Sequence, residues 1–514
     1  MNGADVLIET LLANGVDTCF ANPGTSEMQF VAALDGQRKM RPVLCLFEGV
    51  ATGAADGYAR MAEKPACTLL HLGPGYGNGL ANLHNARRAF SPVVNVIGDH
   101  ATYHRQYDAP LNSDIAGIAR PNSLWVKSAE TADAVAALTA EAVAASHGPP
   151  PGPVSLILPA DAAWSPTNRG PVEARLHERR PPPDEAIEAA ARAMRAAKKP
   201  AVLIGGQACT PGGLAEASRL AGIGVRVLCD TFLARMPRGA GVFAPHRMQY
   251  FGEMALVDLE GVDLMVLVGT TMPVAFFAYP GRPSVLAPPG CAMLSLASRA
   301  EDAAAALAGL AHAMAAPHVG PAKPLKRPDA AATGPLTPAG VGAAVARHLP
   351  EGALISDDAV TSSGGVAAAT GTAAPHEWLG LTGGAIGQGI PVAVGAAVAA
   401  PDRKVVALTG DGAGMYTVQA LWTLARENLD VTVIVFANQA YRILNIELQR
   451  TGAGEAGPAA RTLLDLGDPR IDWVSLAKGM GVDARRCETA EAFDAAFAEA
   501  MHGRGPRLIE AVVP

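Results

Sequence analysis

The sequence predicts an α/β protein made of three doubly wound, parallel-sheet domains. Three observations lead there. At 514 residues the chain is too long for a single core. Short, continuous apolar runs recur between Ala-rich helical patterns along its length, the signature of strands covered on both faces by crossover helices. Two Pro-rich stretches without periodicity, 164–184 and 315–338, can continue neither a helix nor a central strand, so they read as linkers.

The elements follow in order. In the first domain, 1–165, MNGADVLIETLLANGVD reads as an amphipathic helix. Strands are expected in PVLCLF (42–47), ACTLLHL (66–72), PVVNVIG (92–98) and PVSLILP (153–159), and a helix in VATGAADGYARMA (50–62). The middle domain, 183–315, offers AVLIGG (201–206), GVRVLCD (224–230) and LMVLVGT (264–270). The third, 336–514, offers GALISDD (352–358), KVVALTGD (404–411), VTVIVFAN (431–438) and RLIEAVV (507–513). The first and third domains could be two versions of one architecture.

Composition narrows the class of function. The chain is 49% hydrophobic and 17% charged, far from a disordered composition. A net charge of −7 offers no basic surface for nucleic acid or an anionic membrane. Seven scattered cysteines without a C-x-x-C pair read as buried thiols of a reducing compartment. The acidic N-terminal helix is unlike a signal peptide, and no apolar run reaches the roughly 18 residues of a membrane span. A cytoplasmic globular protein is expected.

One carboxylate stands out. In VVALTGDGAGMY (405–416), Asp411 lies between Gly410 and Gly412, just past an apolar strand. On that stretch alone it reads as a turn. The next strand ends at Asn438, and MYTVQALWTLARENL (415–429) reads as the crossover helix between them. Ligands of open parallel sheets bind beyond the carboxyl ends of the strands, and this unit sets Asp411 and Asn438 side by side there. A carboxylate oxygen and an amide oxygen are hard ligands suited to Mg²⁺. Gly410 and Gly412 would let the backbone and a phosphate group approach the ion.

GDG, 25 residues and then Asn resembles the diphosphate-binding signature of the thiamine diphosphate (ThDP) enzyme family. The resemblance implies Mg²⁺ held by Asp411, Asn438 and the carbonyl of Ala440, with Gly410, Gly412 and Tyr441 also at the cofactor. PVLCLFEGVATGAADGYARMA (42–62) resembles the family segment carrying an activating glutamate, here Glu48. In the family that carboxylate bonds N1′ of the aminopyrimidine and so promotes loss of the thiazolium C2 proton. LTGGAIGQGIPVAVGAAVAA (381–400) resembles the stretch that bends the cofactor. Ile386 falls at the wedge position, and the Gly384 carbonyl faces the 4′-amino group. The family builds each site from two subunits, which implies a homodimer or homotetramer.

Within the family the resemblance points to the acetolactate synthase and benzoylformate decarboxylase branch. NPGTSEMQF (22–30), HLGPGYGNG (71–79) and ARENLDVTVIVFANQAYRIL (425–444) carry it. His71 matches a proton-transferring histidine and Thr25 an active-site serine of the decarboxylases. Ala278 replaces their second histidine, and Leu444 stands where pyruvate decarboxylases carry a glutamate. Asp99 replaces the synthase glutamine. GGQACTPGG (205–213) lacks the spacing of a dinucleotide fingerprint, which leaves FAD doubtful. The expected activity is decarboxylation or carboligation of a 2-oxo acid, most like an acetolactate synthase large subunit acting on a pyruvate-type substrate. A benzoylformate-decarboxylase-like lyase and a catalytically silent ThDP-fold binding protein are the alternatives.

Overall fold

The computed structural model describes residues 1–318 and 322–514, so 319–321 of the second linker lie outside the described residues. Three sheets organise it. The first has six parallel strands in the order Arg41–Leu44, Thr18–Asn22, Ala66–Leu70, Val93–Asp99, Pro153–Pro159, Val126–Ser128. The middle sheet has five, ordered His246–Arg247, Arg226–Cys229, Pro200–Ile204, Leu264–Val268, Ala292–Ala297. The third has seven, ordered Asp483–Cys487, Arg507–Val512, Val431–Ala437, Val405–Gly410, Leu354–Asp358, His376–Leu379, Met236–Arg238. No regular element lies between Trp164 and Asp184, as the first Pro-rich stretch predicts.

The first and third sheets share one winding. Numbered along the chain, the six parallel strands of each run 2-1-3-4-6-5. The order reverses between strands 1 and 3 in both. Those switch points lie between Thr18–Asn22 and Ala66–Leu70, and between Leu354–Asp358 and Val405–Gly410. A crevice opens at such a point beyond the strand ends, and ligands of doubly wound folds bind there.

Two expectations need correction. The third sheet is not wholly parallel, because Met236–Arg238, from the middle part of the chain, pairs antiparallel with His376–Leu379. Arg238 anchors this edge, donating to Ala367 O at 2.6 Å, with its guanidinium 5.1 Å from the Trp378 ring centroid. A three-residue strand of this kind covers an otherwise open edge. The crossover after Asp411 is also not one helix from 415 to 429. It consists of Asp411–Met415 and Ala420–Arg426, separated by a turn in which the Thr417 hydroxyl donates to Gly387 O.

The first and third sheets are held together by two helices, Glu48–Ala62 and Gly389–Ala399, which pack through small residues. A Cβ on Gly395 would lie 1.8 Å from Ala54 O, and one on Gly57 would lie 2.1 Å from Val392 O. Only glycine permits that approach. The apolar faces so joined form a single core that includes Val50, Ala54, Val392, Ala396, Val405 and Val433. Beside it the buried pair Asp56–Arg60 reaches across, with Arg60 donating to Gly380 O at 2.8 Å. Among the described residues no helix is long and apolar enough to cross a membrane.

Candidate active site

The third sheet supplies a rigid group of oxygens. The strand Val405–Gly410 is buried over residues 405–409, and extended Gly410, at its partly open end, caps the short helix that Asp411 opens. Asp411 is therefore the first helical residue rather than a turn residue. Its carboxylate is buried and accepts from Gly412 N at 2.9 Å and Gln439 N at 2.6 Å. Burial pushes this carboxyl above its ordinary range, while the N–H groups of Gln439 and Gly412 pull against that shift. The register Gly410↔Phe436 brings Asn438 out beside Asp411, as expected. Gln439 takes a left-handed backbone (φ +57°), which turns the chain so that Ala440 N donates to Asn438 Oδ1 at 3.2 Å. Tyr441 walls the group from below, since a Cβ on Gly412 would lie 2.4 Å from its ring. Above Gly410 the space is open, with the nearest atom 4.0 Å from where a Cβ would stand. Hard oxygens beside an open glycine fit a magnesium diphosphate, with the remaining ligands coming from phosphate and water.

The turn that carries Gly384 and Ile386 is pinned from both sheets. From the first, Asn85 donates to Ala385 O at 2.8 Å, and His84 Nε2 lies 3.1 Å from Gly383 O. From the third, Asp358 accepts from Gly387 N and Gly389 N, and Ser356 donates to Gly389 O. Gly384 has φ +79° and a Cβ there would strike Phe276, so no other residue fits. Ile386 is half-buried beside it.

The first sheet supplies groups that can move protons. Glu48 is the first residue of the helix Glu48–Ala62, is 7% exposed, and accepts from Asn78 Nδ2 at 3.0 Å. Gly75 explains the glycine–proline–glycine run, because a side chain there would press on Glu48 Oε1 at 3.0 Å. His71 caps the next helix, and its Nδ1 lies 2.9 Å from Glu27 Oε2, which also accepts from Gly24 N at 2.7 Å. Burial raises the Glu27 carboxyl, opposed by the Gly24 N–H and by His71. Thr25 is exposed on the 3-10 turn Thr25–Glu27, across the same switch point as His71. Glu27 escaped the sequence reading; its signal was an acid two residues after Thr25.

The structure thus brings His71 and Glu27 together, with Thr25 on the same 3-10 turn as Glu27, and separately Asp411, Asn438, Ala440 and Tyr441. No hydrogen bond among the described residues joins the Glu48–His71 group to the Asp411–Asn438 group. His100 and His104 form a separate aromatic contact, with ring centroids 5.5 Å apart. A cavity of about 620 Å³ lies between the first and middle sheets, lined by Arg88, Arg179, Asp230, Arg235 and Arg299, away from both groups.

Comparison with known proteins agrees with this geometry. Residues 1–118 match the family model "Thiamine pyrophosphate enzyme, N-terminal TPP binding domain", and 358–511 match its C-terminal TPP binding domain. The chain is 52% identical, over its whole length and 99% of the relative, to "Putative acetolactate synthase large subunit IlvX" of Mycobacterium tuberculosis. It is 28% identical, over 98% of its length and 97% of the relative, to a benzoylformate decarboxylase of Pseudomonas aeruginosa. Among solved structures it matches a ThDP-dependent 4-hydroxybenzoylformate decarboxylase of Rhodococcus jostii RHA1 with a TM-score of 0.85. That match has 26% identity and covers 100% of this chain and 99% of that one. The chain belongs to the thiamine diphosphate-dependent enzymes, in the group related to acetolactate synthase and benzoylformate decarboxylase.

Proposed function

We propose that this protein is a ThDP- and Mg²⁺-dependent 2-oxo acid decarboxylase or carboligase, most like an acetolactate synthase large subunit using a pyruvate-type substrate. The observation that carries the reading is the placement of Asp411, Asn438 and the Ala440 backbone beside open Gly410, with Glu48 at a helix start in the matching first sheet. Asp411, Asn438 and Ala440 O hold the ion, and Gly410 and Gly412 admit the diphosphate. The Gly384 carbonyl and the Ile386 side chain seat the aminopyrimidine. When bound, ThDP supplies a thiazolium carbon that adds to a keto group and holds the electrons released with CO₂. Glu48 holds the proton at N1′ that this activation requires. A symmetric homodimer or homotetramer in the cytoplasm, with Glu48 of one chain and Asp411 of another at each site, follows from the family resemblance. No flavin step is included.

The His71–Glu27 pair favours a second reading, a non-oxidative decarboxylase of the benzoylformate type. An imidazole oriented by a carboxylate can protonate the product carbon once CO₂ has left, with Thr25 at the mouth of the same crevice. The test is reconstitution with ThDP and Mg²⁺ and a panel of 2-oxo acids, with CO₂, aldehyde and carboligation product scored separately. Acetolactate from pyruvate supports the first reading, and aldehyde without coupling supports the second. ThDP binding with no turnover supports the silent ThDP-fold protein, and no ThDP binding overturns all three.

A further inference from the structure

We propose that Asp358 is the positioning residue that fixes the 384–389 turn, and through it the Gly384 carbonyl and the Ile386 side chain that face the cofactor. The inference rests on the ThDP reading of the site and adds a residue that touches neither cofactor nor substrate. Asp358 ends the strand Leu354–Asp358 at the switch point of the third sheet, in register with Thr409 just before the Gly410–Asp411 group. It is 1% exposed. One oxygen, Oδ2, accepts from both Gly387 N at 2.7 Å and Gly389 N at 3.2 Å, while Oδ1 is buried with no partner among the described residues.

A buried carboxylate is costly, and this one faces a turn bent at two positive-φ glycines, Gly384 and Gly387. Gly387 has φ +94°, and a Cβ on it would strike Tyr416 at 2.5 Å. A Cβ on Gly389 would strike Asp358 itself at 2.7 Å. The turn is therefore moulded around the carboxyl group. The two carbonyls of the same residues are bound as well, Gly387 O by the Thr417 hydroxyl at 2.7 Å and Gly389 O by the Ser356 hydroxyl at 2.8 Å. Thr417 follows the helix that Asp411 opens, so the aminopyrimidine seat and the diphosphate group share one network. Burial, with the charge of Asp357 nearby, pushes Asp358 up to about 7 against the pull of the two N–H groups. An apolar residue of similar size would leave both buried N–H groups without this acceptor. An acceptor aimed at two alternate amides of the turn, those of Gly387 and Gly389, sets their direction as well.

The test compares Asp358→Asn, which keeps an acceptor for both amides, with Asp358→Ala, which keeps none. Three quantities are read: thermal stability, amide hydrogen exchange of 383–389 in the cofactor-free protein, and deuterium exchange at C2 of bound ThDP. In Asp358→Ala the amides of Gly387 and Gly389 should lose protection, and C2 exchange should slow by about tenfold to a hundredfold. Asp358→Asn should restore most of both. If a folded Asp358→Ala protein kept wild-type protection and wild-type C2 exchange, or if Asp358→Asn were as impaired as Asp358→Ala, the proposal would be overturned. Should Asp358→Ala not fold, Thr417→Val decides, since it releases the same turn from the other side. Slower C2 exchange supports the proposal, and an unchanged rate refutes it. Wild-type protein that binds no ThDP would refute the cofactor reading instead, a separate failure.

Discussion

The first and third sheets have the same winding and place opposite kinds of chemistry at matching strand ends. After strand 1 the first sheet carries Thr25 and Glu27, and the third ends in Asp358. After strand 2 come Glu48 and the Gly384–Ile386 turn. After strand 3 come His71 and Asp411. In the first sheet each carboxylate meets a side chain, Asn78 with Glu48 and His71 with Glu27, which also accepts from Gly24 N. In the third, Asp411 and Asp358 meet backbone N–H groups, so charge and shape are fixed. In the proposed reading, one frame used twice separates proton transfer from cofactor gripping.

The largest expected effect breaks the first half alone. Glu48→Gln should leave the cofactor bound and lower C2 deuterium exchange by about 10²–10⁴-fold. Near-normal exchange in that variant would remove Glu48 from the role given to it. Asp411→Asn should do the reverse, weakening Mg²⁺–ThDP binding by roughly 10–100-fold in calorimetric titration. Wild-type affinity would place the ion elsewhere.

Two further changes sharpen the comparison. Glu27→Gln leaves His71 without its carboxylate. Turnover should fall about tenfold, and wild-type turnover would uncouple the pair. At the seam between the halves, Gly395→Ala places a methyl 1.8 Å from Ala54 O. A stability loss of about 1–3 kcal/mol in denaturant titration is expected.

The smallest effect is one of pH. Burial pushes His376, on strand 2 of the third sheet, down to about 4. The unfolded chain protonates it near its ordinary value, so its contribution is present above about 6.5 and is lost as pH falls toward 4. In His376→Asn, stability should fall less between pH 7 and pH 5 than in wild type. An equal fall would show that His376 is not the group responsible.

Much of this division was legible in the sequence, because continuous apolar strands and Gly-rich strand ends are local signals. Asp411, Asn438 and Glu48 each close such a strand or open the helix after it. What escaped depends on distant pairing. Thr18–Asn22, at the switch point of the first sheet, is too short and mixed to stand out as an apolar run. Met236–Arg238 is defined by its neighbour His376–Leu379 and not by its own residues. Glu27 and Asp358 carry no local mark of their roles, which come from the fold burying them against His71 and the Gly387 turn. The break in the 411–426 crossover likewise comes from a bond between Thr417 and a turn about thirty residues earlier.

The central claim, that Glu48 of one chain and Asp411 of another serve the same cofactor, has a direct test. Glu48→Gln and Asp411→Asn proteins are mixed in equal amounts under conditions that exchange subunits, at ThDP and Mg²⁺ concentrations that fill the wild-type site but leave each variant inactive alone. Half the dimers are then hybrids, and each hybrid regains one intact site, so about a quarter of wild-type turnover should return. Hybrids that form, shown by native mass spectrometry, yet stay inactive would contradict the shared site.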